Sequence, residues 1–374
     1  MDEINVLWVT QDCFVDHDID IVPYLSNYVR IHWVILIPFQ GARYKESDFD
    51  NIIRNNSKLI LSFIRFRKRM RYPQNIFTYG QILELIKSET PDIVHIDLDF
   101  VNPWALPTIF RLPISNTIMV VHQGEVHSGM KHHKYDNFIR EKLFSRIKYV
   151  KMFSKHQADI FEKKFPSVKQ FRFTLPLIKY GDSSVRREFG SLVRFLSFGI
   201  INYAKNIDLL IDAAEALYDE GERDFVVSIN GGCGNWQFYA DRIKHPEIFE
   251  TDIRLIPNEA IPDLFTKSHF FVQPYRVVSQ SGPLKIAYAY NTPVIVSDLP
   301  GFTDEVKEGV SGFVFEHENI ESLKAVMRKA MNRYRTNYDN LLNSMKEYVH
   351  ENYSEEKMAD NYLKMFNTVL KNGK

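Results

Sequence analysis

Cysteine is almost missing from this chain: Cys13 and Cys233 are its two, far apart and without metal-type spacing. That excludes a disulfide framework and a cysteine zinc site, and it fits a reducing compartment. Long apolar runs are missing too. Segments such as Trp33–Phe39 are far too short to span a bilayer, and Met1-Asp2-Glu3 opens without the basic and then apolar pattern of a secretory leader. A cytoplasmic protein is expected. H-E-x-x-H, clustered His and Cys, G-x-S-x-G and G-x-x-x-x-G-K-[ST] are all absent, which disfavours zinc hydrolysis, serine-hydrolase chemistry and a P-loop enzyme. No short repeat or low-complexity tract occurs, and the formal net charge is zero. The zero hides an asymmetry: residues 1–180 hold 25 Lys and Arg against 19 Asp and Glu, the remainder 22 against 28. A basic first half points to an anionic partner.

What is present is enough apolar sequence for two cores. The chain has 374 residues, 45% hydrophobic and 25% charged, which exceeds what one core usually fills. Asn5–Val9, His32–Ile37, Ile93–Ile96, Thr117–Val121 and Tyr149–Phe153 are short, apolar and rich in β-branched residues, with helical spacing between them, as at Ile82, Leu85 and Ile86. That alternation predicts a parallel sheet with helices on both faces. After the polar stretch Lys179–Ser184 the pattern restarts. Strands are expected at Val193–Phe198, Phe225–Ile229, Ile253–Ile256, Phe270–Val272 and Val294–Val296. Ile207, Leu210, Ile211, Ala214, Leu217 and Tyr218 keep the period of an amphipathic helix. The predicted fold class is α/β, with two Rossmann-like doubly wound domains over 1–180 and 181–350 and a C-terminal helix, 351–374, packing back on the first.

Polar residues gather where open α/β sheets bind ligands, beyond the carboxyl ends of strands. Ser279-Gln280-Ser281-Gly282-Pro283 follows the Phe270–Val272 strand, with Pro283 in the first turn of a helix. Free N–H groups and the dipole at that helix start suit a phosphate, and Gly282 lets a ligand approach the backbone; an ordinary helix cap fits the same residues. Lys205, beyond Gly199 at the entry to the next helix, opposes the macrodipole unless an anion offsets it; a solvated lysine at a loop edge is the other reading. Gly231-Gly232-Cys233-Gly234 lacks the G-x-G-x-x-G spacing and is read as lining. In the first half, His122 closes a strand and Glu125 follows. An imidazole there bonds a sugar or phosphate oxygen or handles a proton, or it is a structural histidine. Lys58–Arg71 carries Arg65, Arg67, Lys68 and Arg69 among apolar residues and no acid, which suits an anionic membrane surface and equally a solvated helix face. No nucleic-acid motif accompanies it.

Taken together, in order and spacing, Phe198–Ala214, Arg254–Phe265, Gln273–Gly282, Ala287–Asp298 and Pro300–Phe315 resemble the nucleotide-sugar-binding domain of the retaining GT-B glycosyltransferases, family 4 in particular. The resemblance is strong over Val193–Met327 and holds only in outline before it. It implies two facing domains with a cleft between them. The implied reaction moves a hexose-type sugar, with retention, from a nucleotide diphosphate sugar to the hydroxyl of a glycan or lipid-linked acceptor, in envelope polysaccharide or glycolipid synthesis. The donor side it implies consists of Gly199, Lys205, Gly232, Asn258, Ser279, Gln280, Ser281 and Gly282, with Lys205 on the diphosphate and His122 on the donor sugar. Glu125, Arg65, Arg67, Lys68 and Arg69 fall on the acceptor or membrane side, for a protein peripheral on the inner face of the membrane. Neither cofactor nor metal is implied, since lysine and dipole supply positive charge. The chain departs from the family at Ile200, where arginine is common, and at Val278 and Ile286, where the family carries paired glutamates. Ser279 and Gln280 of an SQSG-type turn are expected to replace them. These departures leave open a silent sugar-nucleotide-binding subunit, and the architecture leaves open an epimerase or a phosphorylase.

Overall fold

A computed structural model of the chain describes residues 3–50, 52, 56–70, 72–99, 101–124 and 133–373. The chain divides into two units, Met1–Pro176 with Glu355–Lys374, and Leu177–Ser354. Each unit is built on one wholly parallel sheet, which requires every strand to return by a crossover and so places helices on both faces.

In the first unit the strands are β1 (Asn5–Gln11), β2 (Arg30–Ile37), β3 (Leu59–Arg65), β4 (Ile93–Asp97), β5 (Thr117–Val120), β6 (Tyr149–Met152) and β7 (Lys169–Arg172), in the order β3-β2-β1-β4-β5-β6-β7. The strand order reverses between β1 and β4, which puts a switch point just beyond Gln11 and Asp97. One face buries Tyr79 and Ile82 of the helix Asn75–Glu89 and Phe161 of the helix Lys155–Lys164. The other takes Val22 and Leu25 of the helix Ile21–Leu25, with Met358, Tyr362 and Phe366 of the C-terminal helix Glu355–Gly373.

The second unit runs β8 (Val193–Phe198), β9 (Phe225–Asn230), β10 (Phe249–Asp252), β11 (Phe270–Gln273), β12 (Val294–Ser297) and β13 (Gly312–Phe315), ordered β10-β9-β8-β11-β12-β13. Its switch point lies between β8 and β11. The helix Ile207–Asp219 buries Leu210, Ile211, Ala214 and Leu217 on one face, joined by Leu323, Met327 and Met331 of the helix Ile320–Tyr353. That helix is kinked at Asn337 (φ −161°, ψ 48°). The helix Gly282–Ala289 covers the other face through Leu284 and Ile286.

Two expectations fail at sheet edges. Ile253–Ile256 is not a strand: β10 forms four residues earlier, pairing Phe249 with Val227, and Leu255 stands exposed in the loop beyond. Nor is Lys58–Arg71 a helix face. Its first half is β3, paired with β2 from Ile31↔Leu59 through Ile37↔Arg65, and this ladder decides the conformation. Among the described residues no helix is long and apolar enough to cross a membrane.

Candidate functional site

The carboxyl ends of β8 and β9 meet backbone to backbone. Gly199 (φ +116°) faces Gly231 (φ +152°), and a Cβ on Gly231 would stand 1.9 Å from the Gly199 carbonyl oxygen. Ile201 N–H then donates to the Gly232 carbonyl at 2.8 Å, carrying the ladder past the strand ends. From this support the chain makes one 3-10 turn, Tyr203–Lys205, and passes Asn206 (φ 53°) before the helix Ile207–Asp219 begins. Lys205 therefore precedes the helix rather than opening it. Its ammonium rests 3.7 Å from the centre of the Tyr275 ring, and among the described residues no carboxylate pairs with it. Arg276 staples the same turn. Its guanidinium donates to the Tyr203 carbonyl (2.8 Å) and pairs with Asp208 (2.7 Å) and Glu318 (3.3 Å).

Across the switch point, β11 ends in buried Gln273, whose Nε2 donates to Tyr275 Oη (3.0 Å) and Ser281 Oγ (2.7 Å). Ser281 is the N-cap of the helix Gly282–Ala289 and accepts from Leu284 N–H at 3.2 Å. Pro283 has no N–H and Leu284 is already capped, so the first-turn donor left for an anion is Gly282, with Ser281 just before it. Within the protein, a Cβ on Gly282 would meet only Ile178 Cδ1, at 3.5 Å, an ordinary contact. A Cβ on Gly301, by contrast, would stand 2.8 Å from the Val278 carbonyl oxygen. Ser279 and Gln280 are half-buried in the turn. Ile286 is in the core, and Val278 is packed against that core in the turn under Gly301, so at neither position does the chain present a polar group. Gly232 would accept a Cβ, its nearest neighbour being Leu255 N at 3.8 Å. Asn258 is exposed at the start of a 3-10 turn, Asn258–Ala260, beyond the edge strand β10, with β9 and β8 between that strand and β11. Lys285 is fully buried against Glu305 and Tyr353 Oη, and burial pushes its ammonium well below the usual lysine range.

In the first unit, His122 lies just past β5 and its Nε2 bonds Asp97 Oδ1, at the end of β4, at 2.8 Å. Phe14 stacks on the His122 ring at 4.3 Å, and the His17 ring lies 5.4 Å away. Burial pushes His17 down to about 4, so it is neutral at pH 7. Burial raises the Asp97 carboxyl, but His122, His17 and Lys151 outweigh it and hold it below the usual range. The bond to Asp97 fixes the orientation of the His122 ring at this strand end. His17, Asp97 and His122 offer two nitrogens and one oxygen within 4.8 Å of one another, a donor set of the type zinc takes, although the Asp97–His122 bond already accounts for two of the three without an ion. Glu125 lies outside the described residues. Arg65 pairs with Glu46 at 2.7 Å, whereas Arg67, Lys68 and Arg69 are exposed in the loop after β3. Sequence reading missed Asp97, His17, Gln273, Tyr275 and Arg276. Asp97 had a signal, an acid closing the apolar run Ile93–Ile96; Gln273 and Tyr275 flank Pro274 and look like loop.

Residues 186–352 match the family described as glycosyl transferases group 1, a span that contains β8 through β13. Over 100% of both chains the fold is similar to a glycosyltransferase from Rickettsia africae, with a TM-score of 0.74 at 15% identity. It is also similar to HepE of Anabaena solved with UDP-glucose (TM-score 0.67, 10% identity, 98% of this chain and 100% of that one). A third similar structure is the catalytic domain of starch synthase IV from Arabidopsis thaliana, bound to ADP and acarbose (TM-score 0.69, 10% identity, 99% and 100%). No curated protein matches the chain. The second unit thus carries a glycosyl transferases group 1 domain, and the chain as a whole shares the two-unit fold of these glycosyltransferase structures.

Proposed function

We propose that the enzyme takes a hexose-type sugar from a nucleotide diphosphate sugar and transfers it, with retention, to an acceptor hydroxyl in the synthesis of an envelope glycan or glycolipid. One observation carries the reading. Lys205, a cation with no carboxylate partner among the described residues, sits at the carboxyl end of β8, and the Ser281–Gly282 helix start sits beyond adjacent β11. Positive charge collected at a switch point suits a diphosphate leaving group, and each well-aimed donor is worth about 3 kcal/mol as that charge develops. Lysine and helix dipole supply this without an ion. Ser279 and Gln280 take over from the family's glutamates, Gly199 and Gly232 shape the floor, and Asn258 lies toward the nucleotide. His122, oriented by Asp97, is assigned to the donor sugar. That HepE was solved with UDP-glucose and starch synthase IV with ADP supports a nucleoside diphosphate as the ligand class.

The test is calorimetric titration with UDP, GDP and ADP and their hexose conjugates, for the wild type and Lys205→Ala. The variant should bind the preferred nucleotide about 10–100-fold more weakly, the scale of one charge-assisted hydrogen bond, with an unchanged melting transition. Equal binding by the variant would sink the assignment of Lys205. Turnover completes the test: release of nucleoside diphosphate with a new glycoside supports transfer, whereas an isomerised nucleotide sugar, or binding without turnover, overturns it. The exposed Arg67, Lys68 and Arg69 are proposed to meet an anionic membrane that presents a lipid-linked acceptor. Neutralising all three should abolish salt-sensitive binding to phosphatidylglycerol vesicles; wild-type protein that fails to bind them at low salt removes the membrane role.

A further inference from the structure

Gln273 is buried completely at the end of β11, yet it carries an amide rather than a hydrocarbon. Both Nε2 protons are used, on Tyr275 Oη and Ser281 Oγ, while Oε1 is buried without a partner among the described residues. An orphaned buried carbonyl destabilises a fold by about 1–3 kcal/mol, so packing alone would favour methionine or leucine here. What the amide achieves is local. Ser281 Oγ receives both Gln273 Nε2 and Leu284 N–H, which occupies its two lone pairs and leaves its proton as the free valence. Tyr275 Oη, accepting from the same amide, is likewise turned into a donor. The Tyr275 ring is fixed further by edge-on contact with Phe302 at 5.3 Å and by Ser297 Oγ donating to its carbonyl at 3.0 Å. On the face of that ring lies the Lys205 ammonium.

We propose that Gln273 is a positioning residue for anion binding: one buried amide sets both the aromatic seat of Lys205 and the hydroxyl that caps the helix start, so that cation and helix terminus are aimed together. The inference rests on the reading of this edge as a diphosphate site.

The experiment compares wild type, Gln273→Met and Tyr275→Phe for binding of UDP, GDP and ADP and of the matching monophosphates, with a melting curve for each. Gln273→Met keeps length and volume and removes the amide. It should weaken diphosphate binding about tenfold, one hydrogen bond's worth to a charged ligand, and monophosphate binding much less. Tyr275→Phe keeps the ring under Lys205, loses only the hydroxyl, and should show the same selectivity, which covers the case in which Gln273→Met does not fold. Wild-type affinity in Tyr275→Phe, or an equal loss of mono- and diphosphate in a destabilised Gln273→Met, overturns the inference. If the wild type itself binds none of the three diphosphates, it is the reading of the site that fails.

Discussion

A histidine locked as an acceptor on one nitrogen has a definite pH signature. His269 Nδ1 accepts from Arg194 N–H at 2.9 Å and its Nε2 donates to the Glu188 carbonyl at 2.8 Å, so the neutral ring satisfies both partners and the imidazolium would break the first bond. Burial pushes the group from 6.5 down to about 4. Between those values the unfolded chain binds a proton that the folded chain does not, so stability falls as pH falls through this window and is flat above it. Discounted for partial solvent screening, the loss is about 2 kcal/mol. Urea unfolding at pH 4.5, 5.5, 6.5 and 7.5 should show it, and His269→Gln should have a shallower acid limb than wild type. His17, pushed down by burial in the first unit, slopes the same way, so the informative quantity is the difference between the two proteins. An equal slope in both would mean that the ring is protonated in the folded state.

Between elements, the contact of β8 with β9 is the most sensitive to one atom. Gly231→Ala places a methyl 1.9 Å from the Gly199 carbonyl at φ +152°, where alanine is strained as well. We expect a cost of at least about 3 kcal/mol in unfolding and loss of nucleotide binding, because the turn holding Lys205 starts from that contact. Gly232→Ala, whose Cβ would meet nothing closer than Leu255 N at 3.8 Å, is the folding control and should melt nearly as wild type. The glycine pair is legible in the sequence only as a cluster after an apolar strand; which member is indispensable depends on a neighbour more than thirty positions away. The strands divide on similar grounds. Those read correctly, Asn5–Val9 or Val193–Phe198 for instance, are buried on both faces and so nearly continuously apolar. The ones missed or misplaced, β3, β7, β10 and β13, are the four outer strands of the two sheets. At such an edge exposed side chains are tolerated, as in Lys169-Gln170-Phe171-Arg172, and pairing with the inner neighbour, not hydrophobicity, selects the segment. The polar site was legible in the same uneven way. Lys205 and Ser281 announce themselves as out-of-place charge and cap, whereas Gln273 and Tyr275 act through contacts that only the folded turn creates.

At the scale of the whole molecule the chain leaves its first unit at Pro176, builds the second through Ser354, and supplies the first with its last helix. The first sheet is thus completed by residues from the far end of the sequence: Met358, Tyr362, Met365 and Phe366 lie in the same core as Trp8 and Trp33. Tyr362 also receives a hydrogen bond from the fully buried Lys151 at 2.7 Å, and its ring lies 4.8 Å from that ammonium. Burial has already pushed Lys151 down to about 8, with Asp18 and Asp97 opposing, so loss of Tyr362 removes packing and strands a charge at once. Tyr362→Ala should cost about 3–5 kcal/mol on the cavity alone. The two units should therefore respond differently to truncation. A fragment of residues 177–354 retains both of its core clusters together with Lys205, Gln273, Tyr275 and Ser281, and should unfold cooperatively and bind nucleoside diphosphate. A fragment of residues 1–176 lacks one cover of its sheet and should be unfolded or aggregated until a peptide of residues 355–374 is added, which should restore a melting transition seen by circular dichroism. A cooperative transition in residues 1–176 alone, unchanged by the peptide, would show that the last helix only decorates a unit already complete.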